Sequence, residues 1–367
     1  MKNHPFRRLG VAALAVIVIS ACSSSTAAAG TNWSAQTSAN AAGGLQALIS
    51  AARAEGQLNL IAFPRDWANY GSIIDSFQVL YGIHVNSANP NGSGKDEIDA
   101  AKKGKSSHAP DVLDLGMDVA VASADLFAPY QVTNWSDIPP PQKEATGLWY
   151  EDYGGYLAIG YDSGKLPSIA TVDDLLLPAF RGKVALYGDP TVSTEALSGV
   201  MMASLARGGS LDNIGPGVDF FHKLKLAGNF LSAQPTTNSI KGGQTPVVID
   251  WDYYSQQNFK NVPTWQVLVP ANATLGGFFA QAINKSAPHP AAARLWEEYL
   301  YSDVGQNLLM KGGVRPARLA AMRAMGLLDA QAAAALPPIA GIPMFMTPSQ
   351  VQAALAYVAA NWHQAVG

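Results

Sequence analysis

The stretch "QLNLIAFPRDWANYGSIIDSFQVLYGIHVNSA" (57–88) restricts the fold more than any other in the chain. An apolar run, "QLNLIAF", is followed by the loop Pro64–Asn69. Ile73, Ile74, Phe77 and Leu80 then recur at helical spacing, Gly82 stops the helix, and "IHVNSA" is a second strand. This is a β-loop-α-β unit, and such units build sheets whose ligand sites lie beyond the strand C-termini. Further strand patterns follow at "DVLDLG" (111–116), "GYLAIGYD" (155–162), "KVALYGD" (183–189), "PVVIDW" (246–251) and "WQVLVP" (265–270). Helical patterns separate them, including "TEALSGVMMASLARGG", "GVDFFHKLKLAG" and "PAAARLWEEYLYSDVGQNLLMKGG". The order of elements predicts an α/β fold, and 367 residues suffice for two lobes.

The chain opens "MKNHPFRRLGVAALAVIVISAC". Lys2, Arg7 and Arg8 form a basic end, and Leu9 to Ile19 is an apolar run too short to span a membrane. Ile19-Ser20-Ala21-Cys22 resembles a bacterial lipobox, in which the peptide is cut before a lipidated Cys. Cys22 is the only Cys, so no disulfide framework is possible, and lipidation would consume an otherwise exposed thiol. The reading is a signal peptide over 1–21, lipidation at Cys22 and a flexible tether over 22–44, with folding expected to start near Leu45. Cutting before Cys22 removes three basic residues and no acid, moving the formal net charge from −3 to −6. An acidic chain is a poor nucleic-acid binder, so none is expected as a partner.

Catalytic motifs are missing. "NPNGSGKDE" (89–97) lacks the first glycine of a P-loop and has Asp96 where the Mg²⁺-binding hydroxyl should be. The six His residues form no i,i+4 pair, and no G-x-S-x-G elbow occurs.

Several segments together resemble the solute-binding proteins of ABC importers, within the type 2 periplasmic-binding group that handles polyamines, ferric iron, thiamine and phosphonates. They run in order from about residue 57 to 318: the opening unit, "APDVLDLGMDVA", "YEDYGGYLAIGYDSGKLP", "TVDDLLLPAFRGKVALYGDP", "GQTPVVIDWDYY" and "SAPHPAAARLWEEYLYSDVGQNLLMKGGVRPAR". The resemblance implies two α/β lobes joined by two crossover hinge segments around an interlobe ligand cleft. It implies lobe 1 over 45–152, lobe 2 over 153–264, and a return to lobe 1 with the C-terminal helices over 265–367. It also implies a monomeric, lipid-anchored, extracytoplasmic binding protein that is not an enzyme, carries no cofactor, and hands a small molecule to ABC permease and ATPase subunits. An exported enzyme on the same fold is the alternative from another class.

Four loops are expected at the cleft. "PRDWANY" would offer Asp66, Trp67 and Tyr70, or Trp67 would pack beneath the next helix. "NPNGSGKDE" would offer Ser93 and Gly94 near a helix start, or be a plain turn. "YGDPTVSTEAL" would offer Asp189 and an anion-attracting helix N-terminus, or simple N-capping by Ser193 or Thr194. In "VVIDWDYY", Trp251 and Asp252 match the aromatic-plus-acid arrangement of polyamine binders, since an ammonium pairs with a carboxylate and tolerates an aromatic face. Strand alternation would turn Asp250 and Asp252 to one side and Trp251 to the other. Asp118 joins the candidates, and Tyr153 is a cleft wall or a hinge residue. No resident metal is expected; Tyr253 and Tyr254 would be the ligands if the cargo were iron, or would only seat the following helix.

Overall fold

The computed structural model describes residues 31–367. The expected signal peptide, the lipidated Cys22 and the start of the tether lie outside the described residues.

The first half begins with α1 (Leu45–Glu55) and β1 (Gln57–Ile61). Then come α2 (Tyr70–Tyr81), β2 (His84–Ala88), α3 (Gly94–Lys102), β3 (Val112–Gly116), α4 (Met117–Ala122) and β4 (Phe127–Ala128). Gly82 ends α2 at φ 69°, a left-handed value that glycine adopts without strain. Strand β5 (Tyr150–Asp162) carries the chain into the second half. There follow β6 (Val184–Leu186), α5 (Thr194–Ala206), α6 (Gly215–Leu226), β7 (Phe230–Leu231), α7 (Thr237–Gly242), β8 (Val247–Trp251), α8 (Asp252–Gln257) and β9 (Trp265–Leu268). Strand β10 (Leu275–Asn284) leads back to α9 (Pro290–Leu300), α10 (Asp303–Lys311), β11 (Arg315–Pro316), α11 (Leu319–Met325) and α12 (Ala330–Ala335). The last elements are β12 (Met344–Phe345) and α13 (Pro348–Val366), the latter opened by a Thr347/Gln350 capping box.

The strands run in the order β2-β1-β3-β10-β5-β8-β6-β7. Strand β5 holds the two halves together. Its first part pairs antiparallel with β10, from Tyr150↔Gln281 to Tyr156↔Gly276. Its second part pairs antiparallel with β8, from Leu157↔Trp251 to Tyr161↔Val247. Each half has its own apolar core. One gathers Phe63, Tyr70, Phe77 and Trp296; the other gathers Leu197, Phe220, Phe221 and Trp362. This is the two-lobed α/β architecture that the resemblance implies.

Three boundaries differ from the sequence reading. The ordered body starts before Leu45: Trp33 is buried, Thr37 C=O accepts from Gln131 N–H, and Arg294 donates to the carbonyls of Ser34 and Gln36. Residues 33–44 are therefore packed rather than a tether, because an indole and a buried guanidinium hold them. Lobe 2 extends past 264, since β9 pairs with the second part of β5 and Ala273 and Leu275 sit in the second core. The C-terminal helices do not all return to lobe 1. Val351, Ala354, Val358 and Trp362 of α13 pack into the second core, so the chain crosses a third time, where β12 pairs with the start of β10. Among the described residues no helix is long and apolar enough to cross a membrane.

Candidate functional site

Two cavities open between the lobes and share Gly116, Tyr254 and Phe279. The first, about 270 Å³, is lined by Asp118 after β3, by Thr194, Glu195 and Ser198 of α5, and by Trp251, Tyr253 and Tyr254. Met346 and Val351 of the third crossing and α13 complete it. The second, about 510 Å³, lies against lobe 1 and is lined by Asp66, Trp67, Ser93, Gly94, Glu97, Asp114, Tyr153 and Tyr254.

An aromatic cluster stands between them. The Trp67 ring meets Tyr254 at 4.6 Å and Tyr253 at 5.6 Å between centroids, joining the lobes. Tyr254 stacks on Tyr187 at 6.2 Å, and Trp251 lies nearly parallel to Tyr253 at 6.0 Å. Trp67 Nε1–H donates to Tyr153 Oη at 2.8 Å, which fixes the indole. A Cβ on Gly277 would run into the Trp251 indole. Gly277→Ala is therefore expected to destabilise the protein by about 1–3 kcal/mol, an overpacking cost, read as a lower melting temperature.

The electrostatics are one-sided. Asp66, Glu97, Asp114, Asp118 and Glu195 line the two cavities, and among the described residues no Lys, Arg or His does. Asp114 sits in the middle of β3, its N–H donating to Glu97 Oε2 at 2.9 Å. Burial pushes the Asp114 carboxyl up to about 7, against the pull of hydrogen bonds from Tyr70, Tyr153 and Gln281. Burial, then the neighbouring Asp114, raises Glu97. Burial also raises Glu195, and burial together with the Glu195 charge raises Asp250. Helices α3 and α5 begin at the cleft, but each already carries a carboxylate in its first turn, Glu97 and Glu195. Each carboxyl fills the position at the helix start that an anionic ligand would seek. Two non-glycine residues beside the lobe 1 cavity, Ala62 (φ 61°) and Asn89 (φ 39°), take left-handed backbone, a strain found where loops are held for a purpose.

Asp66, Trp67, Ser93, Gly94, Asp118, Tyr153, Trp251, Tyr253 and Tyr254 all line one or both cavities. Ser93 spends its hydroxyl on the capping box of α3 with Asp96. Three expectations are corrected. Tyr70 is fully buried beneath the cleft, its hydroxyl held by Asp114 and Asp152. Asp189 folds back on Thr191 and faces a separate cavity with Trp362 and His363. Ser193 caps α5, so that loop is an N-cap. Asp252 is the largest correction. It is buried, accepts from Arg315 Nε at 3.0 Å and Nη2 at 2.8 Å, and accepts Tyr156 N–H at 3.0 Å. Its charge is already used, because α8 begins at residue 252 and turns it away from the cavity. Glu97, Asp114, Glu195 and Phe279 were not singled out from sequence. Asp114 does carry a signal, a lone acid inside an apolar strand; the two Glu residues read as ordinary helix-start acids. Among the described residues no group of three or more His, Cys, Asp or Glu could hold a metal ion.

No curated protein sequence matches the chain. Its fold is similar to an ABC transporter protein of Clostridium perfringens (16% identity, 84% of this chain, 100% of that one, TM-score 0.62). It is also similar to the apo ferric ion-binding protein A of Pasteurella haemolytica (18%, 83% and 96%, TM-score 0.64). A third is the spermidine/putrescine ABC transporter substrate-binding protein PotD of Streptococcus pneumoniae (14%, 85% and 99%, TM-score 0.65). A family model described as bacterial extracellular solute-binding protein matches residues 119–337, more than half the chain. This chain belongs to the bacterial extracellular solute-binding proteins.

Proposed function

We propose that the protein captures a small organic cation, an aliphatic amine or polyamine such as putrescine or spermidine, and delivers it to an ABC permease. The supporting observation is the lining of the cleft: five carboxylates and a cluster of aromatic faces, with no basic side chain among the described residues. An ammonium gains from both partners, by charge-assisted hydrogen bonds and by cation–π contact. A phosphonate would meet only like charge. Trp67, Tyr254 and Phe279 supply the faces; Asp66, Asp114, Asp118 and Glu195 supply the charge. The related proteins named for ferric ion and for spermidine/putrescine support the import role without choosing the cargo. Export with lipid attachment at Cys22, action as a monomer without catalysis, and docking to permease and ATPase subunits complete the proposal.

Putrescine and spermidine are expected to raise the melting temperature, since binding to the native state stabilises it by mass action. Trp67→Ala should weaken that binding by about 0.5–2 kcal/mol, the worth of a cation–π contact, measured by titration calorimetry. No shift with either amine, together with a visible charge-transfer band on adding ferric citrate, would move the site to Tyr253 and Tyr254.

A further inference from the structure

We infer that cargo capture is an exchange of a proton for a cation: lobe 1 holds one proton between two carboxyl groups at the cleft, Asp114 with Asp152, and releases it when a cationic group docks. This rests on the cationic reading above.

The proton follows from hydrogen-bond arithmetic. Tyr70 Oη lies 2.8 Å from Asp114 Oδ2 and 2.7 Å from Asp152 Oδ2. A phenol has one hydrogen and can donate to only one of them. The other contact is a hydrogen bond only if its carboxyl supplies the hydrogen. Asp152 is the better served as an anion, since beyond Tyr70 the Asp114 carboxyl has only the long contact from Tyr153 Oη at 3.5 Å and a weaker pull from Gln281. Its Oδ1 accepts Tyr153 N–H at 2.9 Å and its Oδ2 accepts Gln281 Nε2–H at 3.1 Å. Trp296 Nε1–H donates to Gln281 Oε1 at 3.2 Å and so fixes that amide's orientation. Asp114 Oδ1, by contrast, is buried and has no partner, and Asp114 lines the cavity. The extra hydrogen therefore sits on the carboxyl that a ligand can reach. The groups that face Asp114 are Glu97 on α3, Tyr70 on α2, Asp152 and Tyr153 on β5, Gln281 on β10 and Glu297 on α9. None is a base. Arg294 reaches Glu297 but spends its hydrogen bonds on the carbonyls of Ser34, Gln36 and Pro290.

Among the described residues no Lys, Arg or His contacts the pair, so a proton supplies the positive charge in the empty site. On docking, the carboxyl O–H bond breaks, the proton passes to buffer, and an N–H of the incoming ammonium donates to the freed carboxylate. Affinity for cargo then rises with pH, by up to about tenfold per pH unit for each proton released.

The test is calorimetric titration of the whole protein with putrescine at about pH 6.5 in two buffers of unlike ionisation heat, which counts protons released. The expected result is about one proton released per putrescine bound, falling towards none in Asp114→Asn. Binding with no proton release overturns the exchange and leaves the cationic reading standing. No binding of putrescine or spermidine at any pH overturns both. Should a variant fold poorly, the two-buffer comparison on the unaltered protein decides alone.

Discussion

Asp252→Ala is expected to lower the stability of the protein by about 3–5 kcal/mol, the cost of leaving a buried partner charge unpaired. The stranded group would be Arg315 on β11, whose side chain is about as enclosed as that of Asp252 (10% and 2% exposed). Its guanidinium also donates to Pro337 C=O at 2.6 Å and lies 5.2 Å from the Tyr156 ring, so it cannot swing to water without breaking those contacts. The intact pair adds little by itself. Burial draws the Asp252 carboxyl upward while Arg315 and the backbone N–H of Tyr156 draw it down, and burial wins. That is the signature of a pair whose loss of hydration nearly cancels its attraction. Replacing both partners with apolar residues, as in Asp252→Leu with Arg315→Met, should therefore recover much of what the single change loses. Urea unfolding of the three variants measures this. A single substitution as stable as the parent would remove the pair from the list of interlobe supports.

The ligand-free protein should unfold at a higher temperature at about pH 5 than at about pH 8, the reverse of a protein held by surface carboxylates. The cause is a set of buried acids with too few hydrogen bonds. Burial raises Glu97, Glu151, Asp250 and Glu297, and it raises the pair Asp114 and Asp152, which keeps one proton between its two carboxyl groups. Glu151 Oε2 and both carboxyl oxygens of Glu297 have no partner. A carboxyl raised in the folded state keeps its proton after the unfolded chain has lost it. Its stabilisation is complete below the ordinary carboxylate range and is lost as pH rises through the folded value, which for Asp114 is about 7. Each group weakens the fold by roughly 1.4 kcal/mol for every pH unit over which only the native state holds the proton. Exposed acids such as Asp96, Asp174 and Asp329, lowered by hydrogen bonds, act the other way but only at more acidic pH. The check is calorimetric melting across that span; a flat or rising profile would mean that these acids are not protonated in the native state.

Local pattern made much of this molecule legible. The opening β-loop-α-β unit reads correctly because Ile73, Ile74 and Phe77 mark one helix face and Gly82 marks its end. Strand β8 reads correctly because Val247, Val248 and Ile249 form a run that only a buried strand accommodates. Strand β10 did not, although it lies between β3 and β5. Its sequence "LGGFFAQAIN" pairs two glycines with a buried Gln281, and neither residue type signals a strand until Trp251 is seen lying on Gly277. The role of Asp252 was illegible for a related reason. Nothing local announces that Arg315, sixty-three positions away, will reach it. The same holds for residues 33–44, whose small polar composition suits a tether until Arg294 is brought against it. Of the cleft, the aromatic members were visible as isolated loop aromatics; the acids that matter most, Asp114 and Glu195, became candidates only when the fold placed them against a cavity.

The placement of α13 sets an order of assembly. Its 19 residues are the last long element made, yet they cover Phe221 of the second core and supply Val351 to the cleft wall. Strand β10, needed by the first half, also comes after the whole of β5 to β9 has been made. Contacts between segments so far apart in the chain form slowly, because loop closure must precede the reward. Neither lobe can finish its core while the chain is still emerging from its N-terminal end. A chain interrupted before residue 348 would carry a nearly complete first lobe and a second with an open apolar flank, the kind of surface that proteases and aggregation find first.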